Sequence, residues 1–482
     1  MKISYKKSIL FASLSLLSST NIIQAQSIAA GGWHSLAICN DSTIKAFGEN
    51  ATGQLGDGTT TDRNTPVSVN GLTGIIAVSG GGDQLEAHSI ALKSNGTVWA
   101  WGSNLYGGLG NGSLNNTTSP VQVLVLSGIS KISAGGWHSV ALKNDGTVWT
   151  WGWNTDGQLG DGTTTDKTVA SQVPGLTGIV KIAAGTYHVL ALKNDGTVWA
   201  WGDNVSGQIG DGSTTDRTSP VQVSGLSGVV SIAAGRFFSL AVKNDGTVWT
   251  WGENLYGQLG DGTTTDRSTP VQVSGLNNIT SAVAATGAFH CMAVKNDNTV
   301  WAWGRNTYGN LGDGTTVNKS VPVQMSGVSD IEGLAAGTNF SLLHKNDGTF
   351  WGCGRNASGQ LGDGTILQRN TIVQSTALCP VMNSVGLNDD KQTNSVKISA
   401  FPNPSSNGKF SLHIVNELKQ KQLSNLLIEI YNVMGERILI ADFNPEIKNN
   451  EFTIDLSSHS NGIYYLSTQL ENYIVKQKLI KE

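Results

Sequence analysis

Proline, cysteine and charged side chains are all scarce in this sequence. Ten prolines against 60 glycines, with no three-residue glycine period, exclude a collagen-like or proline-rich extended chain. Charged residues are only 14% and the net charge is -4, with no long run of lysine or arginine. A face that neutralises phosphates needs such a run, so nucleic acid is excluded as a partner. The four cysteines, Cys39, Cys291, Cys353 and Cys379, form no C-x-x-C pair, which removes a zinc ribbon or a thioredoxin-like site. No apolar run approaches the roughly 20 residues that cross a bilayer, so no transmembrane segment is expected. A nucleophile-elbow string and a phosphate-cradling loop are missing as well.

What is present begins with an export signal. Lys2, Lys6 and Lys7 precede a mostly apolar stretch from Ile9 to Leu17, and Ile23-Gln24-Ala25 offers a cleavage point before Gln26. This is the layout of a secretory signal peptide over residues 1–25. Export implies an oxidising compartment, in which a disulfide persists.

Self-similarity dominates the rest. A Trp-Gly dipeptide recurs at Trp101-Gly102, Trp151-Gly152, Trp201-Gly202, Trp251-Gly252 and Trp303-Gly304, with Phe47-Gly48 and Cys353-Gly354 in the first and last copies. The glycines are 54, 50, 50, 50, 52 and 50 residues apart, which gives seven copies. The two longer spacings trace to insertions around Asp83–Glu86 and Ile279–Ala285. Within one copy, Lys181–Ala184, His188–Lys193 and Thr197–Trp201 read as strands. Asn194-Asp195-Gly196 forms the hairpin turn, because its central residues need positive φ. A glycine-rich excursion follows, and Ser219–Val223 reads as a fourth, outer strand whose proline suits an edge. Four short strands cannot bury both faces alone, so the expected fold is all-β, a closed propeller of seven stacked sheets.

The recurrent Ala-Gly-x-x-His, Asn-Asp-Gly-Thr-Val-Trp-x-Trp-Gly, Asn-x-x-Gly-Gln-Leu-Gly-Asp-Gly-Thr and Pro-Val-Gln-Val strings resemble the regulator of chromosome condensation repeat, from about Ser27 to Ser375. The resemblance implies a seven-bladed β-propeller; it does not carry a function, since one fold hosts many roles. Founding members of that family act on chromatin and a nuclear GTPase, a role at odds with the signal peptide and the acidic balance. Protein-inhibitor propellers of the same family among secreted bacterial proteins imply that protein binding is open to it.

Histidines recur at His34, His88, His138, His188 and His290, with Phe238 and Phe340 in the other two copies. A position that accepts phenylalanine packs rather than ligates, so neither metal nor cofactor is expected there. The Leu-Gly-Asp-Gly loops carry Asp57, Asp161, Asp211, Asp261, Asp313 and Asp363, with Asn111 in the second copy. They have too few oxygens for calcium and are expected to bond their own turns. The residue before the recurrent histidine varies: Trp33, Ala87, Trp137, Tyr187, Phe237, Phe289 or Asn339. It follows a glycine turn and should lie on loops at one end. There, Trp33, Trp137, Tyr187, Phe237 and Phe289 either form a ligand surface or pack against neighbouring blades. Cys39 replaces a repeat lysine and Cys379 lies just after the last outer strand, so a Cys39–Cys379 bridge would clasp the first copy to the segment after the seventh.

Beyond Val396 tryptophan disappears, and six short runs read as the strands of a small β-sandwich. Phe401-Pro402-Asn403-Pro404-Ser405, Gly408-Lys409-Phe410, Ile430-Tyr431-Asn432-Val433-Met434-Gly435, Gly462-Ile463-Tyr464-Tyr465 and Lys478-Leu479-Ile480-Lys481-Glu482 resemble the type A sorting domain of the type IX secretion system. The resemblance places the sorting motif at Pro402, Asn403, Pro404, Gly435, Gly462 and Tyr464. It implies passage through an outer membrane with that machinery, removal of the tail by its sortase-like peptidase, and release or surface attachment. The expected organisation is a signal peptide at 1–25, a propeller at 27–378, a linker at 379–396 and a sorting domain at 397–482. The expected role is a secreted or cell-surface, non-catalytic module binding a protein or glycan. Two other roles stand beside it. A secreted propeller hydrolase or lyase calls for a non-repeating acidic cluster, for which only Asp83 and Glu86 offer support; the other is a structural surface component.

Overall fold

A computed structural model describes residues 28–39, 41–83, 86–284, 286–376 and 379, and in the tail 396–401, 406, 409–416, 427–432, 437–442, 451–459, 462–470 and 473–481. The signal segment 1–25, nearly all of the linker, and Pro402, Asn403, Pro404 and Gly435 lie outside the described residues. The chain divides into two compact units between residues 380 and 381.

The first unit is a propeller of seven four-stranded antiparallel sheets. We number the blades I (28–68), II (75–122), III (129–172), IV (179–222), V (229–272), VI (279–324) and VII (331–374). In each, the first strand is innermost and meets the first strand of the next blade, and Ile28–Ala30 of blade I meets Ile331–Ala336 of blade VII to close the ring. The Asn-Asp-Gly segments do turn the hairpins, but not through positive φ at both central residues. Asn144 and Asp145 keep negative φ and only Gly146 takes φ +80°, its amide donating to the Lys143 carbonyl at 3.0 Å while Asp145 Oδ1 accepts from the Thr147 amide at 3.0 Å. The glycine of each Trp-Gly pair is equally obligatory. At Gly152 φ is +100° and a Cβ would lie 2.4 Å from the Trp137 carbonyl oxygen.

The tryptophan before that glycine is the joint between blades. Trp101, Trp151, Trp201, Trp251 and Trp303 are fully buried. Each indole N–H donates to a carbonyl of the preceding blade's Gly-x-Leu-Gly loop: Trp101 to Gln54 at 2.8 Å, Trp201 to Gln158 at 2.9 Å. Burying a side chain of this size contributes on the order of 3 kcal/mol per joint. The glycine-rich loops are self-contained. Asn50 Nδ2 reaches Asp57, Thr59 and Thr61, its Oδ1 accepts from the Leu55 amide, and Asp57 Oδ1 accepts from the Thr59 amide at 2.9 Å. Asp57 also pairs with Arg63 at 2.8 Å, and Asp161, Asp211, Asp261, Asp313 and Asp363 pair likewise with Lys167, Arg217, Arg267, Lys319 and Arg369. In the copy with Asn111, the cation's place is held by neutral Thr117. The aspartates are therefore turn-formers, each with a cation six residues on.

The five recurrent histidines are fully buried, and four of them are links of a relay from one blade to the next. The Nε2 of His34, His88, His188 and His290 lies 2.8–2.9 Å from the hydroxyl of Ser89, Ser139, Ser239 and Ser341 in the next blade. Those hydroxyls donate in turn to a carbonyl of the histidine's own blade, as Ser89 does to Gln54 at 2.8 Å. Phe238 instead faces the copy with Cys291. His138 faces Val189, and neither of its ring nitrogens has a partner. We predict that Val189→Thr restores the relay. A double-mutant cycle with His138→Phe, followed by urea unfolding, should give a coupling of about 1 kcal/mol, with Val189→Thr destabilising in the phenylalanine background.

The second unit holds two antiparallel sheets. One contains Val396–Phe401, Lys409–Asn416 and Glu451–Asp455; the other contains Leu427–Asn432, Arg437–Asp442, Gly462–Leu470 and Tyr473–Lys481. Ile430, Ile454, Leu456, Tyr464 and Leu466 are buried. The strand Val396–Phe401 adds to the six read from sequence; its apolar alternation is carried only by Val396, Ile398 and the small Ala400, which hides it. Among the described residues, no helix is long and apolar enough to cross a membrane.

Candidate interaction face

The loops between the first and second strands of each blade emerge at one end of the propeller and carry the variable residue before the histidine. Trp33, Trp137, Tyr187 and Phe237 are half-buried there and Phe289 is buried. They do not form an even ring. Trp137, Tyr187 and Phe237 make a continuous arc, with Trp137 and Tyr187 centroids 5.8 Å apart and Tyr187 and Phe237 stacked at 4.8 Å. Phe289 joins the arc only through Arg236, whose guanidinium lies 5.3 Å from the centroids of both Phe237 and Phe289. Trp33 is separate, capped by Arg355 at 4.0 Å.

Two further sets of residues, not singled out from sequence, complete this face. The residue after each Trp-Gly pair donates its amide to the carbonyl of the variable residue, as Trp153 does to Trp137 at 3.1 Å and Arg305 to Phe289 at 2.8 Å. Across the seven copies this position holds Glu49, Ser103, Trp153, Asp203, Glu253, Arg305 and Arg355. Trp153 packs edge-on to Trp137 at 5.2 Å and lies 5.7 Å from Tyr187. The second set comes from the Asn-x-x-Gly loops: Tyr106 lies 6.2 Å from Trp137 of the next blade, and Tyr256 5.3 Å from Phe289. The sequence carries the signal for this set: residues of five kinds, Glu, Ser, Trp, Asp and Arg, follow the Trp-Gly pair or its Phe-Gly and Cys-Gly equivalents.

The electrostatics divide the face. Burial pushes the Asp203 carboxyl up to about 6, reinforced by Asp216 and Asp156. Burial likewise raises Glu253 and Asp156. Glu49 is pushed up to about 7, mainly by burial and then by Asp62, against the pull of Arg355. Arg305 and Arg355 occupy the equivalent positions of blades VI and VII. The face is thus acidic beside the aromatic arc over blades III–V and cationic over VI–VII.

The two insertions bridge the axis at this end. From blade II, Asp83 reaches Arg236 of blade V at 2.7 Å and accepts from the Tyr187 hydroxyl of blade IV at 3.3 Å. Burial raises the Asp83 carboxyl even with Arg236 opposing. From blade VI, the Thr286 hydroxyl lies 3.1 Å from the Ala134 carbonyl oxygen and 3.2 Å from that of Ala184, in blades III and IV, and the Gly287 amide donates to the Thr186 hydroxyl at 2.8 Å. Asp83 is therefore a tie between opposite blades. Among the described residues, no group of three or more His, Cys, Asp or Glu is placed to hold a metal ion.

Comparison with known proteins agrees with this geometry. The family described as RCC1-like domain matches residues 14–286, more than half of the chain, and regulator of chromosome condensation (RCC1) repeats match 297–343 and 281–310. The secretion system C-terminal sorting domain matches 399–482. Among curated relatives, the E3 ubiquitin-protein ligase HERC2 of Homo sapiens is 36% identical over 93 residues, 19% of this chain and 2% of that protein. The ultraviolet-B receptor UVR8 of Arabidopsis thaliana is 33% identical over 105 residues, 21% of this chain and 23% of the receptor. The chain thus spans only a small part of these relatives. Among solved structures, Prp20p from Saccharomyces cerevisiae aligns over 69% of this chain and 85% of its own, with TM-score 0.61 and 23% identity. Human WBSCR16 aligns over 66% of this chain and 86% of its own, with TM-score 0.59 and 22% identity. At these identities the structures speak for the fold.

Proposed function

Because the chain belongs to the RCC1-like domain family and ends in a type IX sorting domain that marks it for secretion or the cell surface, we propose that its propeller is a non-catalytic interaction module. Its ligand, a protein or a glycan, docks on the aromatic and charged loop face of blades II–VI. The observation that carries this reading is where the copies differ. Joints, hairpins and glycine-rich loops repeat nearly unchanged, whereas large side chains of every character gather at the positions of Trp137, Trp153, Asp203 and Arg305. Structure alone asks for no such variety at equivalent places; recognition of an asymmetric partner does.

Relatives support the same direction. Prp20p has binding properties to Gsp1p and histones, and UVR8 is an ultraviolet-B receptor. Of the two acids on which a hydrolase or lyase reading leaned, Asp83 has its Oδ2 held by Arg236 and Tyr187. We further propose that a signal peptide at 1–25 carries the chain across the inner membrane, that the type IX machinery exports it, and that its sortase removes the domain at 397–482. The module is expected at 27–378, joined by a linker at 379–396. Probing glycan and surface-protein arrays with the full chain tests the binding. A ligand captured by the native chain should lose at least tenfold in affinity with Trp137→Ala or Tyr187→Ala, at unchanged circular dichroism. Equal capture by both folded variants would overturn the assignment.

A further inference from the structure

The other end of the axis offers a different chemistry. The inner strands of blades III and IV, Ile129–Ala134 and Ile179–Ala184, place Lys131 and Lys181 at one register, each opposite a leucine of its own blade's second strand. The same register holds Ala77, Ser231, Ser281 and Gly333 in blades II, V, VI and VII. The side-chain direction is fixed by a neighbour. Ser133, two residues after Lys131 and so on the same strand face, accepts from the Ala184 amide of blade IV at 2.9 Å. Lys131 therefore projects from the channel wall toward blade IV, and by the same register Lys181 toward blade V.

Both lysines are half-buried, and neither has an ion pair or hydrogen bond among the described residues. Ser231 and Ser281 are also half-buried and likewise without a partner. The acid of this level, Glu332 of blade VII, is turned outward, 59% exposed, and is paired with His344 at 3.4 Å. Two ammonium groups, close enough for Lys131 to depress Lys181 in addition to burial, thus stand in the channel wall uncompensated. Four of the other copies meet this position with small neutral residues, so the repeat does not require lysine there. Holding like charges half-buried is costly unless an anion accompanies them.

We propose that the axial channel binds an oxyanion, a carboxylate, sulfate or phosphate group, between Lys131 and Lys181. The level lies in the half of the channel away from the aromatic face, where Thr286 and Asp83 bridge the axis. The anion enters from the opposite mouth and leaves the docking face free.

Calorimetric titration of the full chain with sodium sulfate and sodium phosphate in a chloride-only buffer tests this. One saturable site per chain is expected. Lys131→Met and Lys181→Met, which keep the apolar stem, should each weaken it at least tenfold. Lys181→Arg should retain it, and Lys93→Met on the rim, which removes the same charge elsewhere, should leave it unchanged. In chloride-only buffer the two methionine variants should melt no lower than the native chain. A second arm with glucuronate and galactose 6-sulfate separates sources: tighter binding than the inorganic ions assigns the site to an acidic glycan, and weaker binding to a free ion. Titration without saturation, or saturable binding equal in Lys131→Met, Lys181→Met and the native chain, would overturn the proposal.

Discussion

Acidification from pH 7 to pH 5 is expected to bring the propeller to the edge of unfolding. Burial holds His34, His138, His188 and His290 down to about 3 and His88 to about 4, against an ordinary 6.5. The native state therefore keeps them neutral while the unfolded chain protonates them. Stability contributed in this way is complete above 6.5 and is lost as pH falls toward the folded values. One unit of pKa difference corresponds to about 1.4 kcal/mol, so five such groups together cost on the order of 9 kcal/mol by pH 5. Total stabilities are only about 5–15 kcal/mol. Glu49 and Asp203, whose carboxyls are raised in the fold, act with the opposite sign and return part of that loss. The loop aspartates paired with cations are held low, so their contribution is lost only below the usual carboxylate range, later in the titration. Urea unfolding at half-unit steps should show stability falling throughout this window. His138→Phe, a residue blades V and VII already use at that place, should make the slope shallower by about one proton. A flat profile between pH 7 and 5 would contradict the buried, neutral relay.

The histidines also show which parts of the molecule could be read from sequence. Their recurrence, with phenylalanine as an accepted substitute, identified a packing position before any contact was visible. The same periodic logic gave seven blades, the hairpins and the turn-forming aspartates. What it could not give was anything that depends on the blades' arrangement about an axis. Arg63 and its equivalents sit six residues from their aspartates, in plain view, but only the folded loop turns them inward. The pairing of Asp83 with Arg236 joins blades three apart and has no periodic signature. On the aromatic face, Trp137, Tyr187 and Phe237 stand out in the sequence as the residue before the histidine position. The residue after Trp-Gly went unnoticed because the conspicuous dipeptide masked the variable position beside it. Lys131 and Lys181 were hidden differently: each looks like an ordinary exposed strand lysine until the ring closes around it.

The largest single effect is expected at the seam of that ring. Six of the seven blade junctions are crossed by the chain, which runs from an outer strand to the next inner one. The seventh is not, since blade I is built wholly from the first strands and blade VII from the last. The seam's non-covalent contacts match those elsewhere: Ser35 donates to the Gln360 carbonyl at 2.8 Å, the Gly364 amide to Asn64 at 2.9 Å, and Ile28, Phe47, Phe340 and Leu361 share a core. Cys39, in the blade I hairpin, is joined by a disulfide to Cys379, which continues the path that a seventh linker would take, with Cα atoms 5.3 Å apart. The bond closes a loop of 340 residues. In the chain-entropy view such closure contributes about 6 kcal/mol, because the unfolded chain loses the separation of its ends. Cys39→Ser with Cys379→Ser should therefore lower the urea midpoint more than any single surface substitution. It should also strip amide protection first from Ile28–Ala30 and Ile331–Ala336, the inner strands on either side of the seam. Cys291 and Cys353 provide the internal control. Both are buried thiols that burial makes harder to ionise, Cys353 to about 12, so neither should react with a thiol reagent until the ring opens. Counting thiols gives the decisive reading: two on unfolding the native chain, and four only after reduction. Four thiols without reductant, or equal stability of the double serine variant, would mean that the seam holds by packing alone.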